Sequence, residues 1–333
     1  MSYSKECDKE YMRTYLESIK GRGTSYKRVA LSPLRYAGGK SNAVGLILEH
    51  LPALRDKKIV SPFFGGGSLE LALASLGFEV VGYDIFPMLV NFWNHALHNA
   101  AQMADALEKM PPVKDDFTYY RNILLCHWER IKPKTLVYKT RTRVPLTEEE
   151  QMLLDGNPLL QAVYYYYNMQ LSYGPMFLGW PSSVYLNEKR YAGLVKRMRD
   201  FTAPGVSVKC ADFKNVLRTH RNDFLFLDPP YYLGGESRMC KGIYPNTNFA
   251  IHHTSFDHTE MCTLLKDHIG GFFITYNDCL EVRAMYSEYH QVFPSWQYTY
   301  GQGELRIGKN REEGNKSNVK QSHEIFIICP PRT

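Results

Sequence analysis

The chain has 333 residues, of which 44% are hydrophobic and 14% aromatic, and it carries a formal net charge of +6. That length holds a full α/β core plus an insertion, about two domains, and the mild basicity fits a polyanionic partner without establishing one. Seven scattered cysteines, with no Cys-x-x-Cys pair, speak against a disulfide framework or structural zinc. No apolar run reaches the ~20 residues of a membrane span, and the first residues lack a signal peptide's apolar centre, so a cytoplasmic or DNA-associated protein is expected.

Residues 1–32 mix charges with Ser and Gly, apart from a short helical pattern over residues 11–19, and read as an extension outside the core. The first sharp signal is Leu34-Arg35-Tyr36-Ala37-Gly38-Gly39-Lys40-Ser41, followed by an apolar helical pattern that stops near Pro52. Such a turn at a helix start places free N–H groups and an ammonium where an anion can bind. The first glycine of a Walker loop is missing, which leaves a cofactor carboxylate or a plain glycine-rich helix start.

Lys58-Ile59-Val60-Ser61 then reads as a strand, Pro62-Phe63-Phe64-Gly65-Gly66-Gly67-Ser68 as a glycine turn, and Leu69 to Leu76 as a helix. This is the first half of a nucleotide-binding βαβ unit. A second strand, Glu79 to Tyr83, finishes in Asp84, where the dinucleotide pattern puts an acid that holds ribose hydroxyls. The glycines do not run Gly-x-Gly-x-x-Gly, so a pyrophosphate is not implied.

Residues 87–110 have one helical pattern. Beyond them, residues 130–143 carry six positive charges and no acid: Arg130, Lys132, Lys134, Lys139, Arg141 and Arg143. The run is read as a contact to a phosphate backbone, against the alternative of a solvated surface segment. Residues 159–178 are rich in tyrosine; half the rings are expected to face a core, with Asn168 and Tyr173 at the end that could border a target pocket. Lys189, Arg190, Lys196, Arg197 and Arg199 extend the basic character on a helix.

The sheet resumes at Val206-Ser207-Val208-Lys209, and Asp212-Phe213 at its end suits a purine, the acid accepting from an amino group and the ring stacking. Phe224-Leu225-Phe226-Leu227 is an unalternating apolar run, as in a strand buried on both faces. Pro229 and Pro230 stop its ladder and leave Asp228 and Tyr231 at the carboxyl end, where open α/β sheets bind ligands. A carboxylate and a proline carbonyl accept without donating, so together they can grip both hydrogens of an exocyclic amine, while the tyrosine ring offers a stacking face. An ordinary strand with a proline turn is the alternative. Residues 234–248 read as a long polar loop, a substrate lid or disordered. His252, His253 and His258 fit no metal-ligand template, and no metal is expected. Residues 272–277 form another buried strand, and residues 291–300 and 324–329 an antiparallel pair around a basic loop.

Tyr36-Ala37-Gly38-Gly39-Lys40, Pro62-Phe63-Phe64-Gly65-Gly66-Gly67, Asp84, Asp212-Phe213 and Asp228-Pro229-Pro230-Tyr231 in this order resemble the Dam-type (D12 class, alpha group) DNA adenine-N6 methyltransferases. The resemblance covers roughly residues 33–95 and 206–330 and is weaker around residues 168–174. It implies an α/β fold: a Rossmann-like methyltransferase sheet, mostly parallel with an antiparallel C-terminal strand, in residues 33–95 and 206–333, and a mainly helical target-recognition domain inserted at 96–205. It also implies S-adenosyl-L-methionine as cofactor, with Tyr36 to Lys40 at its methionine end, Pro62 to Gly67 beneath it, Asp84 on the ribose and Asp212 and Phe213 at its adenine. Asp228, Pro229, Pro230 and Tyr231 would then hold an adenine flipped out of double-stranded DNA. A monomer or weak dimer is expected. RNA adenine or cytosine N4 as target, and a catalytically silent DNA-binding relative, are the competing readings. The basic run falls inside the implied recognition domain. That region does not match the family's GATC readers closely enough to carry over a sequence preference.

Overall fold

Short runs of β-branched and aromatic residues, most of them closed by glycine, proline or asparagine, build one seven-stranded sheet. Its strands are β1 (Lys58–Ser61), β2 (Glu79–Asp84), β3 (Val206–Cys210), β4 (Leu225–Leu227), β5 (Phe272–Asn277), β6 (His290–Val292) and β7 (Glu324–Cys329). The computed structural model describes residues 5–21, 26–54, 56–131, 145–174, 177–232, 256–294 and 324–332. The expected basic run beyond residue 131, the 234–248 loop, His252, His253 and the basic loop before β7 lie outside them.

Across the sheet the order is β3-β2-β1-β4-β5-β7-β6. Strands β1 to β5 pair in parallel, and β7 runs antiparallel to both β5 and β6. The order therefore reverses between β1 and β4, where the diverging connections leave a crevice at the strands' carboxyl ends. Every residue of β4 and β5 is buried, as strands covered on both faces must be.

The sheet's side chains divide by parity between two cores. Ile59, Val80, Phe226, Phe273 and Phe326 face a cluster built with α2 (Val44–His50), α3 (Ser68–Ser75) and α4 (Pro87–His98). Val60, Val81, Leu225, Leu227, Ile274 and Ile327 face a second one with α10 (Phe213–Thr219), α11 (His258–Lys266) and α12 (Leu280–Met285). Helices thus cover both faces of a mostly parallel sheet, the doubly wound arrangement.

Between β2 and β3 the named elements after α4 are all helices: α5 (Ala100–Leu107), α6 (Lys114–Ile131), α7 (Glu148–Asp155), α8 (Pro158–Leu171) and α9 (Glu188–Arg199). The pattern over residues 87–110 is two helices, broken at Asn99, whose φ of −133° is not helical. In α8 all four consecutive tyrosines, Tyr164 to Tyr167, are buried, where half were expected to be. The helix packs against α4, α5 and α6 at once, with Tyr166 stacked on Phe92 and Tyr120 against both Tyr164 and Tyr167. Their hydroxyls escape to backbone carbonyls, Tyr167 to Pro111 at 2.5 Å and Tyr166 to Pro33 and Leu194 at 3.4 Å, which is how a buried tyrosine avoids an orphaned donor.

The N-terminal segment also departs from expectation. Helix α1 (Lys5–Ile19) packs Met12, Tyr15, Leu16 and Ile19 against the first core. The Tyr26 ring lies so close to Gly45 that a Cβ there would come within 2.2 Å of it. The segment belongs to the core because its apolar residues recur at helical spacing, a signal its charged composition masks.

Candidate active site

Three strand ends meet at the crevice. After β1 the glycine turn needs left-handed backbone at Gly65 (φ 48°) and Gly67 (φ 64°), which glycine adopts without a Cβ clash. The turn is tied down by Trp93, whose indole N–H donates to Gly65 O at 2.8 Å. Tyr36 lies against it: a Cβ on Gly66 would come within 2.6 Å of Tyr36. After β2, Asp84 closes the same turn, accepting from the Gly65 and Phe86 N–H groups at 3.0 Å each. Burial pushes its carboxyl above the ordinary value against the pull of these donors.

After β4 comes Asp228, and here the two halves of the sequence touch. The ammonium of Lys40, itself buried, sits 2.6 and 2.8 Å from the Asp228 carboxylate oxygens and donates to Gly38 O at 3.1 Å. Thr275 on β5 donates to Asp228 Oδ1 at 2.7 Å. The next residues are clamped as well. Asn277 accepts from Tyr232 N–H at 2.8 Å and donates to its carbonyl at 3.2 Å. The Tyr231 hydroxyl donates to the buried Glu324 carboxylate of β7 at 2.7 and 2.8 Å. Asn277 and Glu324 face each other across the antiparallel pair, so neighbouring side chains of two strands fix one turn. Tyr231 is therefore inside the fold. Its ring centre stands 5.2 Å from the Lys40 ammonium, while the half-buried Tyr232 packs beside His258.

One layer deeper, Ser61 at the end of β1 donates to Glu70 of α3 at 2.7 Å, both buried. Burial holds the Glu70 carboxyl up at about 7. His258, at the mouth of α11, is lowered to about 4 by burial and hydrogen-bonds Tyr276. On the other flank Asp212 caps α10 through the Lys214 N–H at 2.8 Å, a usual role for a helix N-cap acid. Phe213 stands 5.7 Å from Phe63 and 4.9 Å from Phe256, ring centre to ring centre. The structure thus gathers Tyr36 to Lys40, Phe63 to Gly67, Asp84, Asp212, Phe213 and Asp228 to Tyr231 around the carboxyl ends of β1, β2, β3 and β4.

A model of the family described as D12 class N6 adenine-specific DNA methyltransferases matches residues 36–300, the glycine turns, the helical insertion and the Asp228 turn included. The chain belongs to that family. No curated protein matches it. Among solved structures it is similar, over 100% of both chains, to one from Pyrococcus horikoshii described as "a putative RNA methyltransferase", at 9% identity and a TM-score of 0.36, too low to carry an argument.

Of the residues expected on DNA in this methyltransferase, Asn168 does not face solvent: it is 1% exposed and holds the Leu178 N–H at 2.8 Å. Arg130 pairs with Asp155. Tyr173 is 71% exposed, and the chain folds back beside it, Tyr173 N–H donating to Trp180 O at 2.8 Å, with Trp180 59% exposed. Lys132, Lys134, Lys139, Arg141 and Arg143 lie outside the described residues. Sequence reading missed Thr275, Asn277, Glu324 and Glu70. The one signal for Glu324 is an acid opening the apolar strand Ile325-Phe326-Ile327-Ile328.

Proposed function

We propose that this chain transfers a methyl group from S-adenosyl-L-methionine to N6 of adenine in double-stranded DNA, with the target base turned out of the duplex into the crevice between β1 and β4. The observation that carries this reading is the Lys40–Asp228 contact across the topological switch point, which joins the glycine-turn half of the chain to the Asp-Pro-Pro-Tyr half. The residues present fit the cofactor. The Gly65–Gly67 turn carries no side chains of its own, Asp84 and Asp212 supply acceptors, and Phe63, Phe213 and Phe256 offer ring faces. When bound, it supplies an electrophilic methyl group.

The chain's own contribution is to prepare the amine. Asp228, held by Lys40 and Thr275, and the carbonyl of Pro229 accept the two N6 hydrogens, which draws the nitrogen toward tetrahedral geometry and concentrates its lone pair. Because these acceptors are fixed before the base arrives, little reorganisation opposes the reaction. The half-buried Tyr232 walls the base, while the buried Tyr231 anchors the turn beneath it. Residues 96–205 serve as the recognition domain, with the exposed Tyr173 and Trp180 and the basic run toward DNA.

Incubation with labelled cofactor and duplex DNA, followed by digestion to nucleosides, should put the label in N6-methyladenine; label confined to any other nucleoside, or none, refutes the reading. Asp228→Ala should lower the rate by about a hundred- to a thousandfold, the scale of removing one preorganised hydrogen-bonding group from an active site, while leaving DNA binding intact.

A further inference from the structure

Against the Gly38–Ser41 turn, a cavity of about 270 Å³ is lined by Arg28, Arg35 and Arg197 together with Ser32, Ser41 and Ser68, and neither Lys40 nor Asp228 is among its lining residues. Among its lining residues there is no aspartate or glutamate. The guanidinium groups come from three places: the segment before the turn, the turn itself and α9. Arg28 Nε donates to Ser41 Oγ at 3.2 Å. Arg35 is locked by the carbonyls of Gln170 and Ser172 at 2.6 and 3.1 Å, with its guanidinium carbon 3.7 Å above the Tyr185 ring centre.

The neighbours of Arg197 on α9 are neutralised, Lys196 by Asp200 and Arg199 by Asp105 and Glu108. Arg197 and Arg28 meet no carboxylate among the described residues. Three like charges around one cavity repel each other, so an anion placed there relieves a cost already built into the fold. Planar guanidinium forks and hydroxyls suit the tetrahedral oxygens of a phosphate.

We propose that this cleft binds the phosphodiester backbone of the substrate DNA through Arg28 and Arg197, on the platform that Arg35 fixes. The proposal rests on the methyltransferase reading above. A cofactor carboxylate is the competing anion, since Tyr36, Gly38 and Gly39 also line the cavity. Against it, none of Phe63 to Gly67, Asp84, Asp212, Phe213 or Asp228 does. The turn is a shared wall: Gly38 lines the cleft while its carbonyl receives the Lys40 ammonium that pairs with Asp228. A phosphate on one side and the target amine on the other would be held in fixed register by one short turn of the chain.

The test uses the full chain with Arg28→Ala/Arg197→Ala and, to separate charge from folding, Arg28→Lys/Arg197→Lys. Binding of a labelled duplex is followed by fluorescence anisotropy from about 50 to 200 mM salt. The alanine pair should lower the slope of log Kd against log salt by about 0.9 for each phosphate that is no longer neutralised. The lysine pair should keep most of the slope, and the dissociation constant for S-adenosyl-L-methionine, measured by calorimetry, should not change. An unaltered slope, or a weakened cofactor with an unaltered slope, overturns the proposal. If the unmodified chain neither binds nor methylates DNA, the reading beneath it fails; if it does both and only the slope stays fixed, the cleft alone fails.

Discussion

Replacing Glu70 by glutamine should raise stability at neutral pH and leave it unchanged in acid. Glu70 is buried beside Ser61 and near Asp228, and burial lifts its carboxyl from 4.5 to about 7. The folded chain therefore keeps a proton that the unfolded chain releases near 4.5, and stability falls as pH rises through this window, levelling off above about 7. At about 1.4 kcal/mol for each tenfold change in acidity, the loss is on the order of 3 kcal/mol. Glutamine has the shape of the neutral acid and can accept the Ser61 hydrogen without ionising. Urea denaturation of both proteins from pH 5 to pH 8 should show the variant gaining relative to the parent by an amount approaching that figure. The lowered histidines, His127, His258 and His268, act in the opposite direction, but they are common to both proteins and cancel in the difference. A difference that stays flat across the range, or that grows toward acid, would refute a neutral buried Glu70.

Thr275→Val removes the 2.7 Å hydrogen bond to Asp228 with little change of volume. Hydrogen bonds to charged groups are worth about 1.5–3 kcal/mol, so kcat should fall about tenfold or more while cofactor affinity holds, measured by single-turnover methylation and calorimetry; an unchanged kcat would show that Asp228 needs no help from β5. Tyr231→Phe deletes the donor on buried Glu324 and should cost about 1–3 kcal/mol of stability by denaturant titration, with unchanged stability excluding this bond as an anchor.

How far the sequence disclosed this molecule depended on the kind of signal. The strands β1, β2, β4 and β5 were legible as short apolar runs and β3 as an alternating one, with prolines closing the turns after β1 and β4, and their carboxyl-end acids Asp84 and Asp228 stand where expected. The Tyr36–Lys40 and Asp228–Tyr231 motifs were each readable alone. Their contact was not, because residues 188 positions apart meet only once β1 and β4 pair and the Tyr36–Lys40 turn packs on the glycine turn after β1. Asn168 and Tyr164 to Tyr167 were misjudged for a related reason: polar and aromatic residues look like surface or pocket residues until the helices that enclose α8 are in place. Composition likewise hid the packing of α1, since its sequence has more charged residues than the four apolar ones, Met12, Tyr15, Leu16 and Ile19, that anchor it.

The supports of the Asp228–Tyr231 turn follow from topology. An antiparallel β7 beside β5 brings a C-terminal glutamate opposite Asn277, at the end of the sheet where the parallel strands open. Thr275 and Asn277, two residues apart, point to the same face of β5, and that face meets the turn after β4. Position along one strand pair thus sets three contacts, at Asp228, Tyr231 and Tyr232. None of them needs a motif of its own. In the reading proposed above, a carboxylate and a carbonyl that grip a single amine have to be fixed to within a fraction of an ångström to be effective, and a proline-rich turn on a strand of three residues has few hydrogen bonds of its own to achieve this. Strands β5 and β7 supply the missing ones.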